Sequence, residues 1–115
     1  MSHWFCVSES FLEDQQDAVS KAITHTKHIH ARVGSTQGPQ VWDPAFDEYA
    51  TALKSHLQIW DKWVAQMKLN NEKVTITPEF GPPPYLVNGN RNLSLRDEQW
   101  RLNLWMKNFL QNRYR

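Results

Sequence analysis

The sequence predicts an α/β protein whose strands pair in parallel, and three observations support this fold class. The segments 28–33 and 74–80 both alternate apolar and polar residues with the period of two that β-strands show. The long segment between them carries apolar residues at intervals of three and four, which is the pattern of an amphipathic helix. Because strands separated by such a helix cannot form a hairpin, a crossover connection and parallel pairing are expected.

Helices are predicted before, between and after the two strands. The first begins near residue 10, where Ser10 and Glu13 have capping-box spacing, and ends near residue 25. The longest begins at Asp43 and Pro44, which suit an N-cap and a first helical turn, and runs for roughly six turns. The last begins near Ser94, where capping-box spacing occurs again. The predicted order is therefore helix, strand, helix, strand, helix.

Both predicted strands carry polar side chains on one face, which is unusual for parallel strands covered by helices on both sides. His28, His30 and Arg32 share this face in the first strand, and Glu79 ends it in the second. A partial (β/α)₈ TIM barrel explains the pattern, because the inward faces of barrel strands turn polar near their C-terminal ends, where active sites lie. Since a whole barrel needs about 250 residues, we expect residues 1–115 to be the C-terminal portion, about units six to eight. The segment "HWFCV" (residues 3–7) is interpreted as the stub of a third strand.

Charge and composition limit the expected partners and compartment. Thirteen Lys and Arg residues against twelve Asp and Glu residues give a net charge of +1, so neither a nucleic acid nor a membrane is an expected partner. The single Cys6 cannot form an internal disulfide, and no apolar run approaches the roughly 20 residues of a spanning helix. No signal-peptide pattern is found at the N-terminus, so a cytoplasmic location is predicted.

Several short motifs carry a resemblance to a known family. They are "HIHARVG" followed by "GPQV", then "TPEFGPPPY", then "NLWM" in the last helix. Over essentially the whole chain they resemble the xylose isomerase-like superfamily of sugar phosphate isomerases and epimerases, which are metal-dependent TIM barrels. In that family Glu, Asp, His and Glu side chains bind one divalent metal. By motif position, His30 and Glu79 match the histidine and the last glutamate of this set, whereas the first glutamate and the aspartate have no counterpart in this chain.

The resemblance implies a sugar isomerase or epimerase that moves a proton between adjacent carbons through a metal-bound enediolate. Glu79 would be the catalytic residue, and Arg32, His3 and His28 would contact a small carbohydrate substrate. The implied cofactor is a divalent metal, namely Mn²⁺, Mg²⁺, Co²⁺ or Zn²⁺. We expect weak metal binding and neither ketose epimerase nor aldose isomerase activity from this chain alone, because two of the four family ligands are missing.

Other interpretations of these residues stay open at this point. His28 equally suits a hydrogen-bonded core histidine, and Arg32 equally suits a structural ion pair, while His25 and His56 are interpreted as helix-surface residues. One alternative function is a metal-dependent phosphodiester hydrolase or endonuclease on the same scaffold, although the chain lacks the basic surface expected of one. Another is a non-catalytic fragment that binds a partner or self-associates through its exposed sheet.

Overall fold

A computed structural model describes residues 1–8, 10–86 and 92–115 of the chain. Short 3₁₀ turns precede the second and third helices. The elements in chain order are helix α1 (Ser2–Cys6), helix α2 (Gln16–His25), strand β1 (Ile29–Ala31), helix α3 (Ala50–Leu69), strand β2 (Ile76–Pro78) and helix α4 (Leu95–Arg113).

The prediction of a partial (β/α)₈ barrel is wrong, because the chain forms a small helix-rich domain. Helices α2, α3 and α4 have 10, 20 and 19 residues, whereas β1 and β2 have three residues each. The two strands do pair in parallel, with His30 opposite Thr77. Within the described residues they form a two-stranded sheet and not a series of long βα units. The alternation of polar and apolar residues therefore marks a sheet with one open face, and it says nothing about the number of strands.

The alternation along β1 separates a buried face from an exposed one. Ile29, Ala31 and Val33 are fully buried, and they share one apolar core with helices α3 and α4. The indole N–H of Trp63 donates to the carbonyl oxygen of Thr26 at 2.8 Å, which ties α3 to the chain just before β1. Burial of this apolar surface is the main force that holds the helices on one side of the sheet. The buried residues that α3 and α4 give to this core are Ala52, Leu57, Ile59, Trp60, Trp63, Val64, Met67, Leu102, Met106 and Leu110.

The predicted start of the last helix is confirmed, and the other two predicted starts are displaced. The hydroxyl of Ser94 accepts the backbone N–H of Asp97 at 3.1 Å, as an N-cap does. Helix α2 begins at Gln16, several residues after the predicted capping box, and α3 begins at Ala50 and not directly after Asp43.

None of the helices in the described part of the chain combines the length and the apolar character that a membrane span needs.

The segment "HWFCV" lies in and just after helix α1, so its interpretation as a strand is wrong. Helix α1 covers the outer edge of β1, where the hydroxyl of Ser2 accepts the backbone N–H of His30 at 3.1 Å. Gly34 lies directly beneath the helix, because a Cβ at this position would overlap the carbonyl oxygen of Cys6. A glycine is therefore needed for the close approach of the two backbones. This contact holds α1 at the edge of the open face.

The interpretation of His56 as a surface residue is wrong, because it is only 1% exposed. Its Nδ1–H donates to the carbonyl oxygen of Ala52 at 2.7 Å, and its Nε2 accepts the backbone N–H of Gly34 at 3.2 Å. Accepting that hydrogen bond requires a neutral ring. Burial lowers the pKa of His56 to about 4, although the bond to Ala52 acts in the opposite direction. The neutral imidazole therefore joins α3 to the glycine beneath α1.

The stability of the fold should decrease as the pH falls from 6.5 to about 4, because the unfolded chain then binds a proton at His56 that the folded chain excludes. Above pH 6.5 the ring is neutral in both states, so its contribution is fully present. At a pH of about 4, the decrease in the free energy of unfolding amounts to about 3 kcal/mol. The free energy of unfolding by urea, measured across this range, should fall more steeply for the wild type than for His56→Gln, whose amide can make both hydrogen bonds without titrating. Equal slopes would contradict the assignment.

Candidate metal centre

The open face of the sheet is lined by the polar side chains of both strand segments. These side chains alternate with the buried ones, as the period of two requires. The face is exposed or half-buried along its length. It consists of His28, His30 and Arg32 from the first segment and of Thr75, Thr77 and Glu79 from the second.

Glu79 lies at the centre of a cluster on this face. Its Oε2 is 2.9 Å from Nε2 of His3 and 3.0 Å from Nδ1 of His30. The three residues come from helix α1, from strand β1 and from the segment directly after β2. One ligand atom from each lies within 4.8 Å of the other two, so the group could hold a metal ion. No second group of this kind occurs in residues 1–8, 10–86 and 92–115.

The main chain on both sides of the Glu79 side chain is fixed by hydrogen bonds. The N–H of Glu79 donates to the carbonyl oxygen of Ala31 at 3.1 Å, and its carbonyl oxygen accepts Nε–H of Arg32 at 3.0 Å. The next residue, Phe80, is held by the side-chain amide of Asn103, which accepts its N–H at 2.7 Å and donates to its carbonyl oxygen at 3.0 Å. The carboxylate therefore projects from a backbone that has little freedom to move, as a preorganised site requires.

The ionisation of Glu79 suits a metal ligand. Partial burial alone would raise the pKa of Glu79, but the hydrogen bonds from His3 and His30 outweigh it and keep the pKa below its ordinary value. The carboxylate is therefore charged near neutral pH, which is the form that binds metals.

Cys6 lies nearby and is buried, and burial raises the pKa of its thiol. The thiol is therefore protonated in the metal-free chain, and the group of candidate ligand atoms consists of His3, His30 and Glu79 without Cys6.

Arg32 lies beside the cluster with its guanidinium group placed by two contacts. Its Nε–H donates to the carbonyl oxygen of Glu79, and its guanidinium carbon lies 5.0 Å from the centre of the Tyr85 ring. Such cation–π contacts hold an arginine in place without neutralising its charge. Within the part of the chain that the structure describes, Arg32 forms no ion pair with a carboxylate. The structural ion pair considered for Arg32 is thus not found there, and its charge faces the open surface.

His28 lies one step further from the cluster along the same face. Its Nδ1 is 2.8 Å from the hydroxyl of Thr75, and its Nε2 is 2.9 Å from the hydroxyl of Thr77. Its ring packs edge-on against the ring of His30 at 5.4 Å. Both ring nitrogens already have partners, so His28 supports the ring of His30, while its predicted contact with substrate stays a prediction.

Four of the five residues predicted for the site lie together, namely His3, His30, Arg32 and Glu79. The sequence assigned His3 to the substrate, whereas the structure brings it into the group that could hold a metal. No spacing rule could have found this, because His3 reaches the cluster through the packing of α1 at the edge of β1. The contact of Tyr85 with Arg32 was also missed, although an aromatic residue shortly after the second strand was a possible signal.

Fold and site together define a small helix-rich domain that presents two histidines and one glutamate on the open face of a parallel strand pair. Searches against protein-family models, curated proteins and solved structures find no match to this chain. The resemblance to the xylose isomerase-like superfamily therefore stays a prediction that depends on the sequence motifs.

Proposed function

We propose that this chain takes part in divalent-metal-dependent isomerisation or epimerisation of a small sugar or sugar phosphate. The observation that carries the proposal is the convergence of His3 and His30 on the Oε2 atom of Glu79, on an open polar face beside the charge of Arg32. The motif resemblance suggests the reaction, and the cluster supplies residues of the chemical types that the reaction needs.

The three side chains fit a divalent metal by their chemistry and their spacing. Two imidazole nitrogens and a charged carboxylate are common ligands of such ions in proteins. The ligand atoms are already close, and the side chains of His3, His30 and Glu79 are 62%, 40% and 32% exposed. A metal bound there would leave room for a substrate to approach. It would polarise the carbonyl and hydroxyl oxygens of a sugar and so make the neighbouring C–H group more acidic.

Glu79 is the residue we assign to proton transfer. A carboxylate moves a proton between adjacent carbons if it is ionised and lies within reach of the substrate. The lowered pKa of Glu79 meets the first condition, and its place on the open face meets the second. Because its main chain is fixed by Ala31 and Arg32, the carboxylate would accept and return the proton without a large movement of the backbone.

Arg32 is the residue we assign to holding the substrate. Its guanidinium group lies beside the cluster, and in the described chain segments it has no carboxylate partner that would compete with an anionic or hydroxyl group. A planar guanidinium binds a phosphate or carboxylate through two parallel hydrogen bonds. A substrate with its anionic end on Arg32 would place its reacting carbons toward Glu79.

A cytoplasmic location stays a prediction alongside this proposal.

The alternative functions have weaker support. Phosphodiester hydrolases on the scaffold of the superfamily that the motifs resemble use a cluster of three metals. The described residues of this chain contain one candidate group of metal ligands. Association through the sheet stays a prediction. A largely apolar groove of about 550 Å³ lies between β2 and α4 and is lined chiefly by Val74, Ile76, Pro78, Leu110 and Tyr114.

The proposal is tested by measuring proton transfer alone, because full turnover is not expected from this chain. Ketoses and their phosphates are incubated in D₂O with the protein and excess Mn²⁺, Co²⁺ or Zn²⁺, and NMR follows exchange of hydrogen at the carbon next to the carbonyl group. We expect exchange that needs metal and that falls by at least about 100-fold in Glu79→Gln, since general-base catalysis contributes a factor of this size.

Two further variants complete the experiment. Arg32→Lys should raise the substrate concentration needed for half-maximal exchange more than it lowers the maximal rate, since the residue holds substrate. His25→Ala serves as the matched control, because His25 is an exposed histidine of α2 outside the cluster, and it should exchange at the wild-type rate. Exchange that is the same in wild type and Glu79→Gln, or no metal-dependent exchange with any sugar, would refute the proposal.

A further inference from the structure

We infer that His3 is the third protein ligand of the metal, and that the set of His3, His30 and Glu79 selects Zn²⁺ over Mg²⁺ and Mn²⁺. This inference rests on the metal-binding part of the proposed function and not on the isomerase chemistry. The motif resemblance implies that His3 contacts the substrate, and it leaves four divalent metals open.

The positions of the ligand atoms support the role of His3. Its Nε2 lies 2.9 Å from Oε2 of Glu79, about as close as Nδ1 of His30 at 3.0 Å, and the two rings pack edge to face at 5.5 Å. Zinc binds nitrogen and oxygen at about 2.0–2.2 Å in a tetrahedron, which places neighbouring ligand atoms roughly 3.3 Å apart. Since the ligand atoms of the cluster all lie within 4.8 Å of one another, small rotations of the exposed side chains suffice to reach that spacing.

The kinds of ligand support zinc. Imidazole nitrogen suits zinc and neighbouring transition metals, whereas Mg²⁺ prefers oxygen ligands in a regular octahedron and keeps several waters. Mn²⁺ binds most weakly in the usual order of first-row metals at a site of this type. Here two of the three ligands are nitrogen, and one carboxylate supplies the charge. Two histidines and a glutamate with a fourth position open to water is also a known ligand set of catalytic zinc.

The surroundings of the carboxylate favour a bound cation. Arg32 donates to the main-chain carbonyl oxygen of Glu79 and not to its carboxylate, so the negative charge of the side chain is not neutralised by that arginine. Within the described residues, the carboxylate forms hydrogen bonds with His3 and His30 alone. Both of these hydrogen bonds join atoms that would become ligands, so binding a metal would replace contacts within the cluster and would break none outside it.

The inference is tested by isothermal titration calorimetry of the whole chain with Zn²⁺, Co²⁺, Mn²⁺ and Mg²⁺ as chloride salts. We expect one site that binds Zn²⁺ at least about 100-fold more tightly than Mg²⁺ or Mn²⁺. His3→Ala should weaken Zn²⁺ binding by at least about 10-fold, while binding of Mg²⁺ should change little, because Mg²⁺ gains little from an imidazole. The visible spectrum of the Co²⁺ form should lose intensity in the same variant, because a nitrogen ligand is removed.

Matched controls exclude an unspecific effect of removing a histidine. His25→Ala should bind Zn²⁺ as the wild type does, and circular dichroism should show that His3→Ala keeps its helices, since His3 is largely exposed. Equal affinities for Zn²⁺ and Mg²⁺, or wild-type Zn²⁺ binding by His3→Ala, would overturn the inference. If Zn²⁺ binds as expected but no sugar exchanges hydrogen, the isomerase proposal fails and this inference stands.

Discussion

A Gly34→Ala variant should lose about 2–3 kcal/mol of stability and should also bind zinc more weakly than the wild type. A Cβ at position 34 would overlap the carbonyl oxygen of Cys6, so either α1 or the chain after β1 must move. Overpacking that forces the backbone to shift typically lowers stability by about 1–3 kcal/mol. Because α1 carries His3, a displaced helix would also move one of the proposed ligands away from Glu79. Urea unfolding and calorimetric zinc titration measure the two effects.

Gly38→Ala is the matched control, because a Cβ at position 38 has no atom within 4 Å. This variant should keep its stability within about 0.5 kcal/mol, as surface substitutions usually do, and should bind zinc normally. If Gly34→Ala were as stable as Gly38→Ala, the close contact between Gly34 and α1 would be wrong. If Gly34→Ala lost stability but bound zinc normally, the link between that contact and the site would be wrong.

Replacement of Arg101 by methionine should lower the free energy of unfolding by about 1.5–3 kcal/mol, because the change removes charged hydrogen bonds that two buried carboxylates accept. One terminal nitrogen of Arg101 lies 2.7 Å from Asp43 and from Glu98, which are 2% and 3% exposed. The hydrogen bonds to Glu98, and then those to Asp43, raise the pKa of Arg101 above its ordinary, already high value. The charge of Arg101 is therefore present at every accessible pH. This network ties the loop after Gly34 to the first turns of α4.

Arg113→Met provides the comparison for that prediction. Arg113 forms a similar two-pronged ion pair with Asp61, but both side chains are about 40% exposed. Exposed ion pairs contribute about 1 kcal/mol or less, so this variant should unfold close to the wild-type urea midpoint. Similar losses of unfolding free energy in the two variants would show that burial of the carboxylates does not determine how much stability an ion pair contributes.

The local elements of the fold were largely predictable, whereas their assembly was not. The period of two located both strands, and capping chemistry located the start of α4 at Ser94. The barrel prediction failed because an alternating strand reveals that one face is polar but not how many strands lie beside it. Helix α1 was missed because a short apolar run fits a strand and a helix equally well. Its position depends on Gly34, which is far from it in sequence.

The burial of His56 shows how a pattern in the sequence can be misjudged. Ala52, His56, Ile59 and Trp63 recur at intervals of four, three and four, which places the histidine on the buried face of α3. The sequence therefore contained a signal for burial, which the interpretation of His56 as a helix-surface residue overlooks. Hydrogen bonds at both ring nitrogens are what make its burial tolerable.

The candidate site was predictable where it depended on the strands. His30 and Glu79 follow from the polar face and from the position of Glu79 directly after the second strand. The place of His3 could not be predicted in the same way, because it depends on the packing of a short helix against β1. Side chains that meet through tertiary packing leave no spacing in the sequence, which is why the sequence predicted two of the three residues in the group that could hold a metal.

A crystal grown with Zn²⁺ would show whether His3, His30 and Glu79 bind one metal ion. Diffraction data collected on both sides of the zinc absorption edge locate the metal by its anomalous signal. We expect one strong peak within about 2.0–2.2 Å of a nitrogen of His3, a nitrogen of His30 and a carboxylate oxygen of Glu79. A map with no peak at these three side chains, or with zinc bound elsewhere on the chain, would contradict this expectation.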